Sequence, residues 1–128
     1  MMVIRVQKVV NCVLSINRNI NNNEENSIIR GKGYYKNNDG EITIFFSSEN
    51  IKYKYVYNKD CLVVYCNDSK YSFKENRKDI GEIKNGDYIF KVTTVAKKIE
   101  VREDCIILNY SLYQDDLIGN YQSVLSFN

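Results

Sequence analysis

Along the first segment Met2, Ile4, Val6, Val10, Cys12, Leu14 and Ile16 fall on one parity, while Arg5, Gln7, Asn11, Ser15 and Asn17 fall on the other. A two-residue period belongs to a strand with one buried face, so this spacing predicts a long first strand. Residues 17–26, rich in asparagine and carrying Glu24 and Glu25, have nothing to bury and are expected to form a polar, mobile loop. From there on, short runs of β-branched, aromatic and alternating residues recur at 27–36, 41–48, 51–58, 61–66, 70–74, 87–95, 97–102, 105–113 and 118–127. Turn residues separate them. Asn38-Asp39-Gly40 has the chemistry of a tight hairpin, as do Asn58-Lys59-Asp60 and Asn67-Asp68-Ser69, and Asn85-Gly86-Asp87 opens another strand. Residues 76–84 carry Ile80 and Ile83 three apart behind a capping Asn76, and are expected to be a loop with at most one helical turn. Short local connections favour an antiparallel meander. The expected fold is therefore all-β, a single barrel of about eight to ten strands, because closure removes exposed sheet edges.

Composition narrows the chemistry. The 128 residues suit one domain, 1–128, with a single core, and 44% hydrophobic against 27% charged residues is an ordinary globular balance. Eighteen basic and sixteen acidic residues leave a net charge of +2, far from the dense positive field of a dedicated nucleic-acid binder. The chain has no histidine, which removes the usual proton shuttle and metal ligand. Hydrolases built on Ser-His-Asp or Cys-His pairs drop out with it. Cys12, Cys61, Cys66 and Cys105 are expected to be reduced, buried thiols. Cys61 and Cys66 stand an odd number of positions apart on one strand and so face opposite ways, which argues against a shared metal. Arg5, Lys8 and Asn11 interrupt the apolar start, no export signal is legible, and no run approaches a membrane-spanning length. A cytoplasmic protein without membrane association is expected, with no cofactor or metal.

Gly31-Lys-Gly33-Tyr34-Tyr35, the stretch Asn85-Gly86-Asp87-Tyr88-Ile89-Phe90-Lys91-Val92-Thr93-Thr94, and Ile106-Ile-Leu-Asn-Tyr110-Ser-Leu112 together resemble the YwiB-like family of small, uncharacterised bacterial proteins. The resemblance spans about three quarters of the chain. It implies a calycin-like, or lipocalin-like, barrel, and the family carries no established catalytic residues to transfer. This chain has Cys66-Asn67-Asp68 where the family pattern leads one to expect an arginine and a glycine.

The segment Ile51-Lys52-Tyr53-Lys54-Tyr55-Val56-Tyr57 interleaves bases and aromatics as single-strand binders do, but parity sends Lys52 and Lys54 one way and the tyrosines the other. Stacking and phosphate contact need a shared face, so nucleic acid is disfavoured as a partner. The tyrosines instead point to a core or lumen. Tyr53, Tyr55 and Tyr57, joined by Tyr65 and Tyr110 from neighbouring strands, are expected to line a cavity offering rings and hydroxyls. Lys8, on the apolar parity of the first strand, is a candidate partner for an anionic head group. Most acidic residues fall in turns, and no inward carboxylate pair or phosphate-cradling loop is visible. The sequence thus favours a non-enzymatic carrier of a small hydrophobic or amphipathic ligand. The alternative is an interaction module for protein or nucleic acid using Lys52, Lys54 and the exposed strand face.

Overall fold

The structure, a computed structural model, describes residues 5–128, so Met2 and Ile4 of the expected first strand lie outside the described residues. Among the described residues ten strands form one sheet: β1 (Arg5–Ile20), β2 (Asn23–Asn38), β3 (Glu41–Ser48), β4 (Ile51–Asn58), β5 (Cys61–Cys66), β6 (Ser69–Lys74), β7 (Lys78–Asn85), β8 (Tyr88–Val101), β9 (Cys105–Gln114) and β10 (Asp116–Phe127). Each strand pairs antiparallel with its chain neighbours, and β1 pairs with β10, so the meander closes into a barrel without free sheet edges along its wall.

Turn chemistry explains this regularity. Asn21-Asn22 and Glu49-Asn50 both hold positive φ at two successive residues, as does Asp39-Gly40, the geometry whose twist matches the flanking strands. Residues 17–26 are accordingly no loop: β1 runs on to Ile20, turns through two asparagines, and returns as β2. Local polarity was a poor guide there because this hairpin extends past the barrel wall, where neither face needs to be apolar. The segment 76–84 is likewise corrected, from a loop with one helical turn to strand β7. Its isoleucines sit on opposite faces, with Ile80 exposed and Ile83 half-buried. The separate runs expected at 87–95 and 97–102 are one strand, β8, with a bulge between Ala96 and Lys98.

Alternate residues turn inward. Val10, Cys12, Leu14, Ile44, Phe46, Leu62, Phe73, Ile106, Leu108, Leu125 and Phe127 form the buried core. Each of the larger ones contributes about 1.5–3 kcal/mol by leaving water. Lysines and other polar groups occupy the outer face, the reverse of the lipid-facing pattern of a membrane barrel. No helix among the described residues is long and apolar enough to cross a membrane.

Two features close the wall where the ladder is thin. Between β6 and β7 only Lys70–Glu82 and Tyr71–Gly81 pair, and side chains bridge the gap. The Thr94 hydroxyl donates to the Ser72 carbonyl at 2.5 Å, and the Lys84 N–H donates to Ser69 Oγ at 3.0 Å. Between β2 and β3 the backbones approach so closely that a Cβ on Gly31 or Gly33 would collide with the carbonyl oxygens of Ser47 or Phe45. Glycine is needed there for space, not for an unusual φ. Gly33→Ala is therefore expected to destabilise the barrel by about 1–3 kcal/mol or more in urea unfolding, whereas Lys36→Ala, exposed on the same strand, should change stability by under about 0.5 kcal/mol.

Candidate functional site

The inward residues do not fill the whole barrel. In the half nearer the β1–β2, β3–β4, β5–β6 and β9–β10 turns lies a lumen of about 200 Å³, walled by Leu14 and Ile16 of β1, Tyr53 and Tyr55 of β4, Val64 and Cys66 of β5, Tyr71 and Phe73 of β6, Leu108, Tyr110 and Leu112 of β9, and Tyr121 and Ser123 of β10. Its wall carries no lysine, arginine, aspartate or glutamate. Five tyrosines from four strands meet here because each occupies the inward parity of its strand and the register brings them to one level. Tyr121 lies opposite Tyr110, and Tyr55 opposite Val64, which itself opposes Tyr71.

The rings are ordered against one another. Tyr110 and Tyr121 stack at 4.8 Å between centroids, 7° from parallel. Phe73 meets Tyr110 at 4.8 Å in a tilted pair, and Phe46 stacks on Tyr53 at 4.8 Å. Such pairs add about 0.5–1.5 kcal/mol each beyond simple burial and fix the shape of the wall.

Burial disfavours charge on the phenols of the lumen wall. Desolvation holds the Tyr55 and Tyr110 phenols far above the ordinary value of 10.0, and each is pushed further by neighbouring acidic groups: Tyr53, Cys66 and Cys12 around Tyr55, and Tyr55, Tyr121 and Tyr71 around Tyr110. Tyr53 and Tyr71 shift the same way, again chiefly through desolvation. Burial alone raises Cys66 and takes Cys12, in the core, to about 11. A site like this offers O–H donors and acceptors and disfavours any charge.

The structure divides the residues singled out from sequence. Tyr53, Tyr55 and Tyr110 line the lumen as expected. Tyr57 keeps the inward parity but lies further along β4, in a separate open cleft of about 560 Å³ with Lys59, Asp60, Lys74, Glu75 and Arg77. Tyr65 faces outward, between Lys54 and Lys70, because its strand places Val64 and Cys66 inside. Lys8 is also outside the lumen. Its pairing with β10 is absent, since that ladder begins at Cys12, and its ammonium sits 5.2 Å above the Tyr35 ring at the far end of the barrel. Lys52 and Lys54 project outward. Cys61 and Cys66 do face opposite ways, into the open cleft and the lumen respectively.

Sequence reasoning missed Tyr71, Tyr121, Cys66 and Ser123 on the lumen wall. Parity within β6 and β10 carried a signal for the tyrosines, but only barrel closure brings those strands to Tyr55 and Tyr110. Arg18 was also missed, because its segment read as a loop. It continues the inward parity past Ile16, opposes Tyr121, donates through Nη2 to the Ile118 carbonyl at 2.8 Å, and keeps Nε buried without a hydrogen-bond partner.

These features define a class: a closed, ten-stranded antiparallel meander barrel with a small, uncharged, tyrosine-rich interior. In fold the chain is similar to the crystal structure of ywiB protein from Bacillus subtilis, with a TM-score of 0.78, 12% identity, and coverage of 95% of this chain and 92% of that chain. Likeness at this identity concerns the fold. No family model matches the sequence, and no curated protein matches it.

Because the Tyr55 and Tyr110 phenols hold their protons more tightly in the folded chain than in the unfolded one, their contribution to stability is complete below the ordinary phenol value of 10.0 and is lost as pH rises above it. Absorbance titration should show the Tyr55 and Tyr110 phenols ionising only with unfolding. Tyr110→Phe should shallow the alkaline loss of stability.

Proposed function

We propose that this protein is a non-enzymatic binder of a small, neutral, ring-sized amphipathic molecule held in the tyrosine-lined lumen. The observation that carries this is the combination of volume and polarity. A dry apolar cavity of about 150 Å³ admits a benzene ring, so about 200 Å³ leaves room for a substituted ring and falls below the range of a long-chain lipid or drug-sized ligand. The five phenols and Ser123 supply orienting hydrogen bonds, while the uncharged wall opposes an anionic head group. That departs from the role expected for Lys8, which lies outside the lumen.

The likeness to ywiB protein of Bacillus subtilis supports placing the chain in the YwiB-like group and in a bacterial setting, and the closed meander is the ground for reading the barrel as calycin-like in a cytoplasmic protein. Absence of histidine and the raised phenol and thiol values count against acid-base or nucleophilic chemistry in the lumen, since the reactive anions are the disfavoured forms.

Native mass spectrometry of the protein purified from a bacterial lysate tests this directly, with indole and p-cresol added to stripped protein as defined probes. One neutral molecule per chain is expected. Val64→Phe, which fills the lumen from β5, should abolish binding, while Tyr110→Phe should retain the fold and weaken a hydrogen-bonded probe up to about tenfold. Lys8→Met should leave affinity unchanged. Absence of any bound molecule from intact protein, with no shift from either probe at millimolar concentration, would overturn the carrier reading.

A further inference from the structure

The net charge of +2 conceals an uneven distribution. β4, β5 and β6 contain no aspartate or glutamate, and the outer faces of β2 to β6 present Arg30, Lys32, Lys36, Lys52, Lys54 and Lys70. The acids around it sit at its margins, Glu41, Glu49, Asp60 and Asp68 at strand ends and turns, Glu24 and Glu25 at the far end of β2, and Glu82 of β7 across from Lys70 without an ion pair to it. On the other side of the barrel β9 is uncharged and β10 carries Asp116 alone. Neither ion pair found among the described residues involves the cations of this face.

Aromatics share it. Cross-strand register sets Tyr34 opposite Phe45, Phe45 opposite Lys54, Lys54 opposite Tyr65, and Tyr65 opposite Lys70. The row runs around the outside of the barrel at roughly 4.8 Å per strand. A second row, Lys32–Ser47–Lys52, lies beside it. Tyr34 is 52% exposed, and the Lys54 and Lys70 ammoniums approach the Tyr65 ring at 5.7 and 5.9 Å, with rings rather than carboxylates as partners. Within β4 alone the lysines and tyrosines point apart. Across the sheet, stacking rings and cations come to one face after all, the rings being supplied by β2, β3 and β5.

We infer that this outer face binds single-stranded nucleic acid, with bases on Tyr34, Phe45 and Tyr65 and the phosphate backbone tracked by Lys32, Lys52, Lys54 and Lys70. The alternation of flat apolar rings with unpaired cations at strand spacing is what a flexible chain of bases and phosphates complements. A purely anionic partner has no use for the rings, and a purely apolar one none for the lysines. The site is independent of the lumen and stands whether or not a small molecule binds inside.

Fluorescence anisotropy with a labelled single-stranded oligonucleotide of mixed sequence, roughly twelve nucleotides long, tests it. Saturable binding that weakens with salt is expected. Lys54→Ser with Lys70→Ser should lower affinity and reduce the slope of log affinity against log salt by about 1.4, at roughly 0.7 per lysine. Tyr65→Ala should weaken binding by about fivefold or more with that slope unchanged, and Tyr65→Phe should restore it. Lys97→Ser with Lys98→Ser, off this face, should leave it unaffected, and circular dichroism should show every variant folded. No binding at low salt, or binding that ignores Tyr65→Ala and Tyr34→Ala, overturns the inference. So does preference for vesicles of anionic lipid over the oligonucleotide, since it would identify an unselective anionic surface.

Discussion

The ladder between β1 and β10 joins the first described strand to the last, and the other features of the barrel take their meaning from it. With eight paired positions from Cys12–Phe127 to Asn19–Asn120, it turns an open meander into a tube. It also forces every inward side chain to compete for one enclosed volume. Ten strands enclose more than eight do, and an interior of that width is not filled by side chains alone. Aliphatic and phenylalanine side chains pack one half. In the other half the inward positions of β4, β6, β9 and β10 happen to carry tyrosines, which line the wall of the remaining space.

That arrangement has two effects. Burying phenols disfavours their charged form, and desolvation raises the values of Tyr55 and Tyr110. Ring stacking stabilises the wall, through the Tyr110–Tyr121 pair and its contact with Phe73. What results is a wall of stacked rings without lysine, arginine, aspartate or glutamate, built from five tyrosines on four strands. Outside, the same alternation sets Lys52 and Lys54 of β4 and Lys70 of β6 on one face, where none of them makes an ion pair among the described residues. The lumen and the charged face are thus two products of one periodicity, separated by the thickness of a single sheet.

Two glycines and one threonine show how finely the wall is fitted. Gly31 and Gly33 allow β3 to press against β2 where any side chain would strike a carbonyl oxygen. Thr94, fully buried, spans the thin seam beside β6 by bonding the Ser72 carbonyl. The likeness to ywiB protein at 12% identity indicates that the barrel tolerates wide change in sequence, as expected when alternation and turn geometry carry the fold.

The sequence by itself determined the class, the antiparallel meander, several strand boundaries to the residue, the tight turns, and the inward direction of Tyr53 and Tyr55. These all follow from local rules: a period of two, and asparagine, aspartate and glycine where φ must be positive. It misread 17–26 and 76–84, where hairpin arms and a strand with few apolar residues escape the usual burial signal. Only the tertiary structure decided which tyrosines meet. Tyr71 and Tyr121 joined Tyr110, while Tyr57 and Tyr65 were sent elsewhere and Lys8 was left outside, because a position's level in a staggered barrel depends on the register of every ladder between it and its neighbours. The pairing of Tyr65 with Lys54 and Lys70 on the outer face arose the same way. Alternation says which side of its own strand a residue occupies, and closure alone says what stands across from it.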